Sequence, residues 1–215
     1  MLFRSRRWNF KGERPKWVIP TFDEKKFGSL MKSTDDGLVL SLPPGRALPG
    51  DILGLEATGQ LRGDFEVITK FQILKLERSD LATSFKVPGV DIGVTLQSPT
   101  TDLLRIERRW FEEREQGHAL KSVHRWHIPD QPFDYDIQQM PCPAMSGRMK
   151  LVRKGPRVMS LFAEADSDNW QLIHQHSVSQ VDAIKPTILV RNYDSKSDVS
   201  ILLQDWSLRA AKIVE

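Results

Sequence analysis

Cysteine is nearly missing from this sequence of 215 residues. Cys142 stands alone, so no intrachain disulfide can form and the fold must rest on its core. A chain of this length can bury such a core unaided, which leaves the redox compartment open. Long apolar runs are missing too: no stretch approaches the roughly 18 apolar residues of a membrane span. The opening MLFRSRRWNFKGERPKW carries charge with no apolar run behind it, so it does not read as a signal peptide. The expected location is the cytoplasm, or else the chain is a domain cut from a longer, exported protein. An excess of one charge is also lacking, because 31 basic side chains face 28 acidic ones for a net +3. The basic surplus crowds the N-terminus at Arg4, Arg6, Arg7, Lys11, Arg14 and Lys16. Neither a recognition helix nor an aromatic-and-basic platform accompanies it, so nucleic acid is not the expected partner.

Motifs of catalysis are scarce as well. No glycine-rich phosphate loop occurs. Ser146-Gly147 lacks the flanking glycines of a nucleophile elbow, and Cys142 sits between Pro141 and Pro143 without a local motif. Internal repeats and low-complexity tracts are absent.

What the sequence does have is alternation. In residues 64–75 the odd positions Phe65, Val67, Thr69, Phe71 and Ile73 face the even positions Glu66, Lys70 and Gln72. That is period two, a strand with one buried side. Residues 90–97 set Val90, Ile92, Val94 and Leu96 against Asp91, Gly93, Thr95 and Gln97. From residue 103, Leu104, Ile106 and Trp110 alternate with Arg105, Glu107 and Arg109, and residues 120–128 place Trp126 and Ile128 opposite Arg125 and His127. Further strands are expected at 147–153, 157–164, 170–177, 183–191 and 198–210. Polar or glycine-bearing breaks fall at 33–37, 43–50, 78–84, 112–117, 129–134, 154–156, 164–169 and 192–198. The Glu-rich piece 108–116 fits a hairpin better than a helical turn. With no amphipathic helix of useful length between them, these strands predict an all-β, two-sheet antiparallel sandwich. Residues 1–25 lack a period and read as a basic arm laid over the domain of residues 26–215.

The order of segments resembles a known family. Asp36-Gly37-Leu38-Val39-Leu40 precedes Leu61-Arg62-Gly63-Asp64-Phe65-Glu66-Val67. Then follow Gly147-Arg148-Met149-Lys150-Leu151-Val152-Arg153-Lys154-Gly155, Asn169-Trp170-Gln171-Leu172 and Asp205-Trp206-Ser207-Leu208. This is similar to a bacterial domain-of-unknown-function family of concanavalin A-like, glucanase-type domains, the DUF1583 type, over roughly residues 36–212. The resemblance implies a jelly-roll sandwich of two curved sheets and no particular activity, because its superfamily holds lectins, glycanases and spacer domains alike.

Four kinds of site come into question. Retaining glycanases of this fold carry Glu-x-Asp-x-x-Glu along one strand, placing two carboxyl groups about 5–5.5 Å apart. Asp134-Tyr135-Asp136 and Glu112-Glu113-Arg114-Glu115 do not have that spacing, so no catalytic residue is assigned. A sugar site needs aromatic faces and planar polar groups. The polar sides of neighbouring strands would gather Glu66, Lys70, Gln72, Asp91, Thr95, Arg105, Glu107, Arg109, Arg125 and His127 on one concave face. Within it Asp91, Arg105, Glu107, Arg109, Arg125 and His127 are the expected ligand contacts. Trp110, Trp126, Trp170 and Trp206 read as core. His174 and His176 would point the same way on a strand, as a metal requires. However, no Asp, Glu or Cys stands beside them at a diagnostic spacing, and His124 and His127 fare no better. No cofactor is expected beyond a structural calcium, for which Asp166-Ser167-Asp168-Asn169 offers oxygen ligands.

The expected function is therefore a non-catalytic domain that binds carbohydrate or another polymer. One alternative is a glycoside-active enzyme using Glu66, Asp91 and Glu107; another is a module that docks on proteins.

Overall fold

The computed structural model describes residues 4–44, 52–77, 89–96, 102–110, 118–127, 130, 132–178, 183–192 and 198–214. In chain order its strands are β1 (Arg4–Trp8), β2 (Val18–Pro20), β3 (Met31–Thr34), β4 (Gly37–Leu42), β5 (Ile52–Ala57), β6 (Gln60–Glu77), β7 (Gly89–Leu96), β8 (Leu103–Trp110), β9 (His118–His127), β10 (Phe133–Pro141), β11 (Ser146–Lys154), β12 (Arg157–Glu164), β13 (Gln171–Ser177), β14 (Ala183–Arg191) and β15 (Asp198–Val214). One helical turn, α1 (Glu24–Phe27), starts where the Asp23 carboxylate accepts from the Lys25 amide.

Every pairing among these strands is antiparallel. One sheet runs β10-β9-β8-β7-β14-β5-β2. The second runs β13-β12-β11-β6-β15, with β4 and β3 on one half of β15 and β1 on the other. The sheets join at a corner, where Ala183 and Ile184 of β14 meet Leu61 and Gln60 of β6. Between them lies one core. Leu53, Leu55, Val90, Ile92, Leu104, Ile106, Ile188 and Val190 enter it from the first sheet; Val67, Phe71, Met149, Leu151, Phe162, Ile201 and Trp206 enter from the second. Each such side chain contributes about 1.5–3 kcal/mol by leaving water. The expected two-sheet sandwich is the fold found.

The strands expected at 157–164 and 183–191 match β12 and β14, and β8 and β9 form the expected hairpin pair. Most of the predicted breaks at 43–50, 78–84, 112–117 and 192–198 lie outside the described residues. Strands β1, β2, β3, β5 and β10 were not foreseen. Residues 129–134 read as a break because of Pro129 and Pro132, yet β10 begins within it, at Phe133. The N-terminal residues supply β1 and β2. There Trp8 packs on Phe10 at 4.4 Å and Trp17 on Trp206 at 5.6 Å between ring centroids.

Candidate functional site

Strand register brings charged residues together on the outer face of the first sheet. Side chains directly opposite on neighbouring strands point the same way. In β7 and β8, Gly89 faces Arg109, Asp91 faces Glu107 and Gly93 faces Arg105. Glu107 in turn faces Lys121 of β9, while Gly89 faces Arg191 of β14. The two glycines make the arrangement possible. A Cβ on Gly93 would stand 2.9 Å from Cγ of Arg105, and one on Gly89 would stand 2.9 Å from Cγ of Arg109 and 2.4 Å from the Arg108 carbonyl oxygen. Without those β-carbons, both arginines can lie across β7 on either side of Asp91.

The result is a recessed ionic network. Arg109 Nη2 donates to Glu107 Oε1 at 2.7 Å, and Arg105 Nε stands 3.5 Å from the same oxygen. Arg191 Nε donates to Asp91 Oδ2, which Arg105 Nη1 approaches at 4.0 Å. Asp91 and Glu107 are each only 1% exposed, yet among the described residues Asp91 Oδ1 and Glu107 Oε2 hold no hydrogen bond. Burial pushes the Lys121 ammonium below its ordinary range; Glu107 opposes that shift, and Arg109 and Arg105 reinforce it. Among the described residues, the cations Arg105, Arg109, Lys121, Arg125 and Arg191 share this region with the carboxylates Asp91 and Glu107, so it is electropositive.

Beside the network runs an aromatic rim. Phe133, Tyr135 and Ile137 of β10 sit opposite His127, Arg125 and Val123 of β9, which places them on the same outer face. Phe133 and Tyr135 are 47% and 50% exposed, and the Arg125 guanidinium lies 4.6 Å over the Phe133 ring.

Of the expected contacts, Asp91, Arg105, Glu107 and Arg109 meet in the network, and Arg125 belongs to the rim. The backbone of His127 pairs with Phe133, but its side chain, like those of Thr95 and Trp110, lies outside the described residues. Glu66, Lys70 and Gln72 do not join this face. Their strand β6 is flanked by β11 and β15 in the second sheet, because the chain crosses between sheets from β6 to β7 instead of folding back beside itself. Glu66 stands 3.8 Å from Lys150 there. Trp206 is core as expected. Trp170 is not: it is half-buried beneath Lys150 Nζ and Arg148, at 3.7 and 4.9 Å from its ring centroid. Trp126, also half-buried, lines a cleft at the sandwich edge.

That cleft has a volume of about 440 Å³ and is also lined by Asp102, His124, Asp136, Gln175, Ser177 and Val178. Here the outermost strands of the two sheets, β10 and β13, come into contact. Asp136 Oδ2 lies 2.8 Å from His176 Nδ1, and both its oxygens lie 3.1 Å from His174 Nε2. His176 Nε2 stands 2.9 Å from Ser122 Oγ, and Ser122 donates to Ser160 Oγ at 2.8 Å. Burial pushes the Asp136 carboxyl up, but hydrogen bonds from His176 and His174 outweigh it and hold the group below its usual range. Burial drives His176 down to about 4. Asp, His and Ser in line have the order of a hydrolase triad, but Ser122 is fully buried and no acyl carbon can reach its oxygen.

Alternation puts His174 and His176 on one side of their strand, but 38 positions separate Asp136 from His174, and only the contact between the outermost strands β10 and β13 brings it to them. A signal for the aromatic rim did exist: Phe133, Tyr135 and Ile137 alternate with Asp134, Asp136 and Gln138 at period two. In the acidic loop considered for calcium, Asp166 pairs with Lys70 at 2.5 Å and Asp168 with Arg148 at 3.0 Å.

Solved structures share the architecture end to end. Winged bean acidic lectin complexed with methyl-α-D-galactose superposes with a TM-score of 0.56 at 9% identity, covering 100% of both chains. The β-glucanase of Bacillus licheniformis gives 0.58 at 11% identity, covering 97% of this chain and 98% of its own. A legume lectin-like domain from Entamoeba histolytica gives 0.58 at 7%, covering 92% and 91%. At such identities the likeness is one of fold. No curated protein matches the sequence. Residues 19–215 match the family described as Protein of unknown function (DUF1583) C domain, and the chain belongs to that family.

Proposed function

We propose that this domain binds a saccharide polymer carrying anionic groups, without cleaving it, on the outer face of the first sheet. The observation that carries the reading is the juxtaposition on one face of an exposed aromatic rim, Phe133 and Tyr135, with the partly exposed cations Arg105, Lys121 and Arg125. Pyranose rings stack on aromatic faces, and guanidinium groups make paired hydrogen bonds to carboxylate or sulfate oxygens. A sugar-complexed lectin among the structures of the same fold agrees with this choice.

The glycoside-cleaving alternative loses its candidates. Asp91 and Glu107 are engaged by arginines and almost fully buried, and Glu66 lies on the other sheet. Neither carboxylate can reach a glycosidic oxygen from there.

An array of neutral, uronate-bearing and sulfated glycans tests the proposal. Acidic glycans should be retained at low salt and released as salt rises, and Tyr135→Ala should weaken retention about tenfold, roughly 1.4 kcal/mol. Retention of neutral glycans only, or retention unchanged by both Tyr135→Ala and Arg125→Ala, would overturn it.

A further inference from the structure

The edge cleft gathers a second cluster of polar side chains, apart from the outer face of the first sheet. Asp136 comes from the outermost strand of one sheet, and His174 and His176 from the outermost strand of the other. Their candidate ligand atoms all lie within 4.8 Å of one another. The rings of His174 and His176 stand edge to face, 4.3 Å apart at 84°.

Asp136 Oδ2 lies 2.8 Å from His176 Nδ1, and both Asp136 oxygens lie 3.1 Å from His174 Nε2. One carboxylate and two imidazole nitrogens from opposite sheets are thus gathered within the reach of a single ion. We propose that Asp136, His174 and His176 bind a zinc-type divalent cation that ties together the outermost strands of the two sheets.

Two imidazole nitrogens and one carboxylate suit zinc, whereas calcium takes oxygen ligands throughout. Ligand atoms on a tetrahedral zinc with bonds of about 2.0–2.1 Å are separated by about 3.3 Å. The present separations of 2.8 and 3.1 Å from the Asp136 oxygens thus need to open only slightly. Asp136 is 44% exposed and free to make that adjustment, and it gives the ion a route in from solvent. With Nδ1 on the metal, His176 would donate its Nε2–H to the Ser122 hydroxyl 2.9 Å away, a support typical of metal-bound histidine. Three protein ligands leave a fourth position open toward the cleft. The buried His124 lines the same cleft, with its Nε2 3.6 Å from Asp102.

The test uses the full chain, stripped with a chelator and titrated with zinc chloride by calorimetry, with thermal unfolding followed in parallel. One saturable equivalent per chain is expected, along with a rise in Tm. Asp136→Asn and His174→Ala should each weaken binding at least tenfold. Should either variant misfold, the wild type alone decides: zinc must protect His174 from carbethoxylation, read by peptide mass spectrometry. No saturable binding, binding that survives the Asp136→Asn/His174→Ala double change, or a modified His174 in the presence of zinc would each overturn the proposal.

Discussion

Replacing Asp91 by alanine probes the recessed network most sharply. Asp91 is 1% exposed and lies against two guanidinium groups, Arg191 and Arg105. Its removal leaves positive charge uncompensated in a desolvated position, next to Arg109 and Lys121. Breaking a buried ion pair by removing one partner costs about 3–5 kcal/mol. For a chain of this size that lowers Tm by roughly 6–20 °C. Asp91→Asn keeps the shape and can still accept from Arg191, so it should cost less, about 1.5–3 kcal/mol. Changing both partners, Asp91→Leu with Arg191→Met, should recover much of the loss. Equilibrium urea unfolding of these proteins, together with the Asp91→Leu and Arg191→Met single variants, measures this, with the midpoint shifting at constant slope and a coupling energy taken from the completed cycle. A cost below about 1 kcal/mol for Asp91→Ala, or strict additivity in the double variant, would refute the idea that the pair is buried and coupled.

The two glycines flanking Asp91 should respond differently. Gly93→Ala presses mainly on the flexible Arg105 side chain and should fold, with sugar affinity reduced. Gly89→Ala meets a backbone carbonyl at 2.4 Å and should destabilise by several times more, as thermal melts would show; equal effects would contradict the packing described. His118 should make stability depend on pH. Burial, followed by the charge of Arg108, holds its folded value below the ordinary ~6.5. The unfolded chain therefore takes up a proton there first, and its contribution is complete above about pH 6.5 and is lost as pH falls toward the folded value. His118→Gln should flatten part of the decline in unfolding free energy between pH 7 and 5, and parallel curves for the two proteins would count against this.

Strand identity was written in the sequence because side-chain alternation is a local property. Residues 157–164 and 183–191 carry their own period, and the backbone follows it. Which strands lie side by side is not local. Glu66, Lys70 and Gln72 have the right alternation but sit on the other sheet, since the chain changes layers after β6. Asp91, Arg105, Glu107 and Arg109 were legible as a group because β7 and β8 pair directly. Arg191 and Lys121 escaped notice, one at the end of a strand distant in sequence and the other where alternation is weaker. Prolines at 129 and 132 masked β10, and with it the aromatic rim and Asp136. The latter becomes meaningful only where it meets β13.

Two of the described surfaces that set cations over an aromatic ring could take an acidic glycan. One is the network with its Phe133–Tyr135 rim. The other is Trp170 beneath Arg148 and Lys150 on the second sheet. Amide NMR shifts during titration with a sulfated or uronate oligosaccharide separate the two directly. Shifts should cluster at Asp91, Arg105–Arg109, Lys121–Arg125 and Phe133–Ile137, leaving Arg148, Lys150 and Trp170 unmoved. Shifts confined to the Trp170 side, or none at saturating ligand, would contradict the central claim.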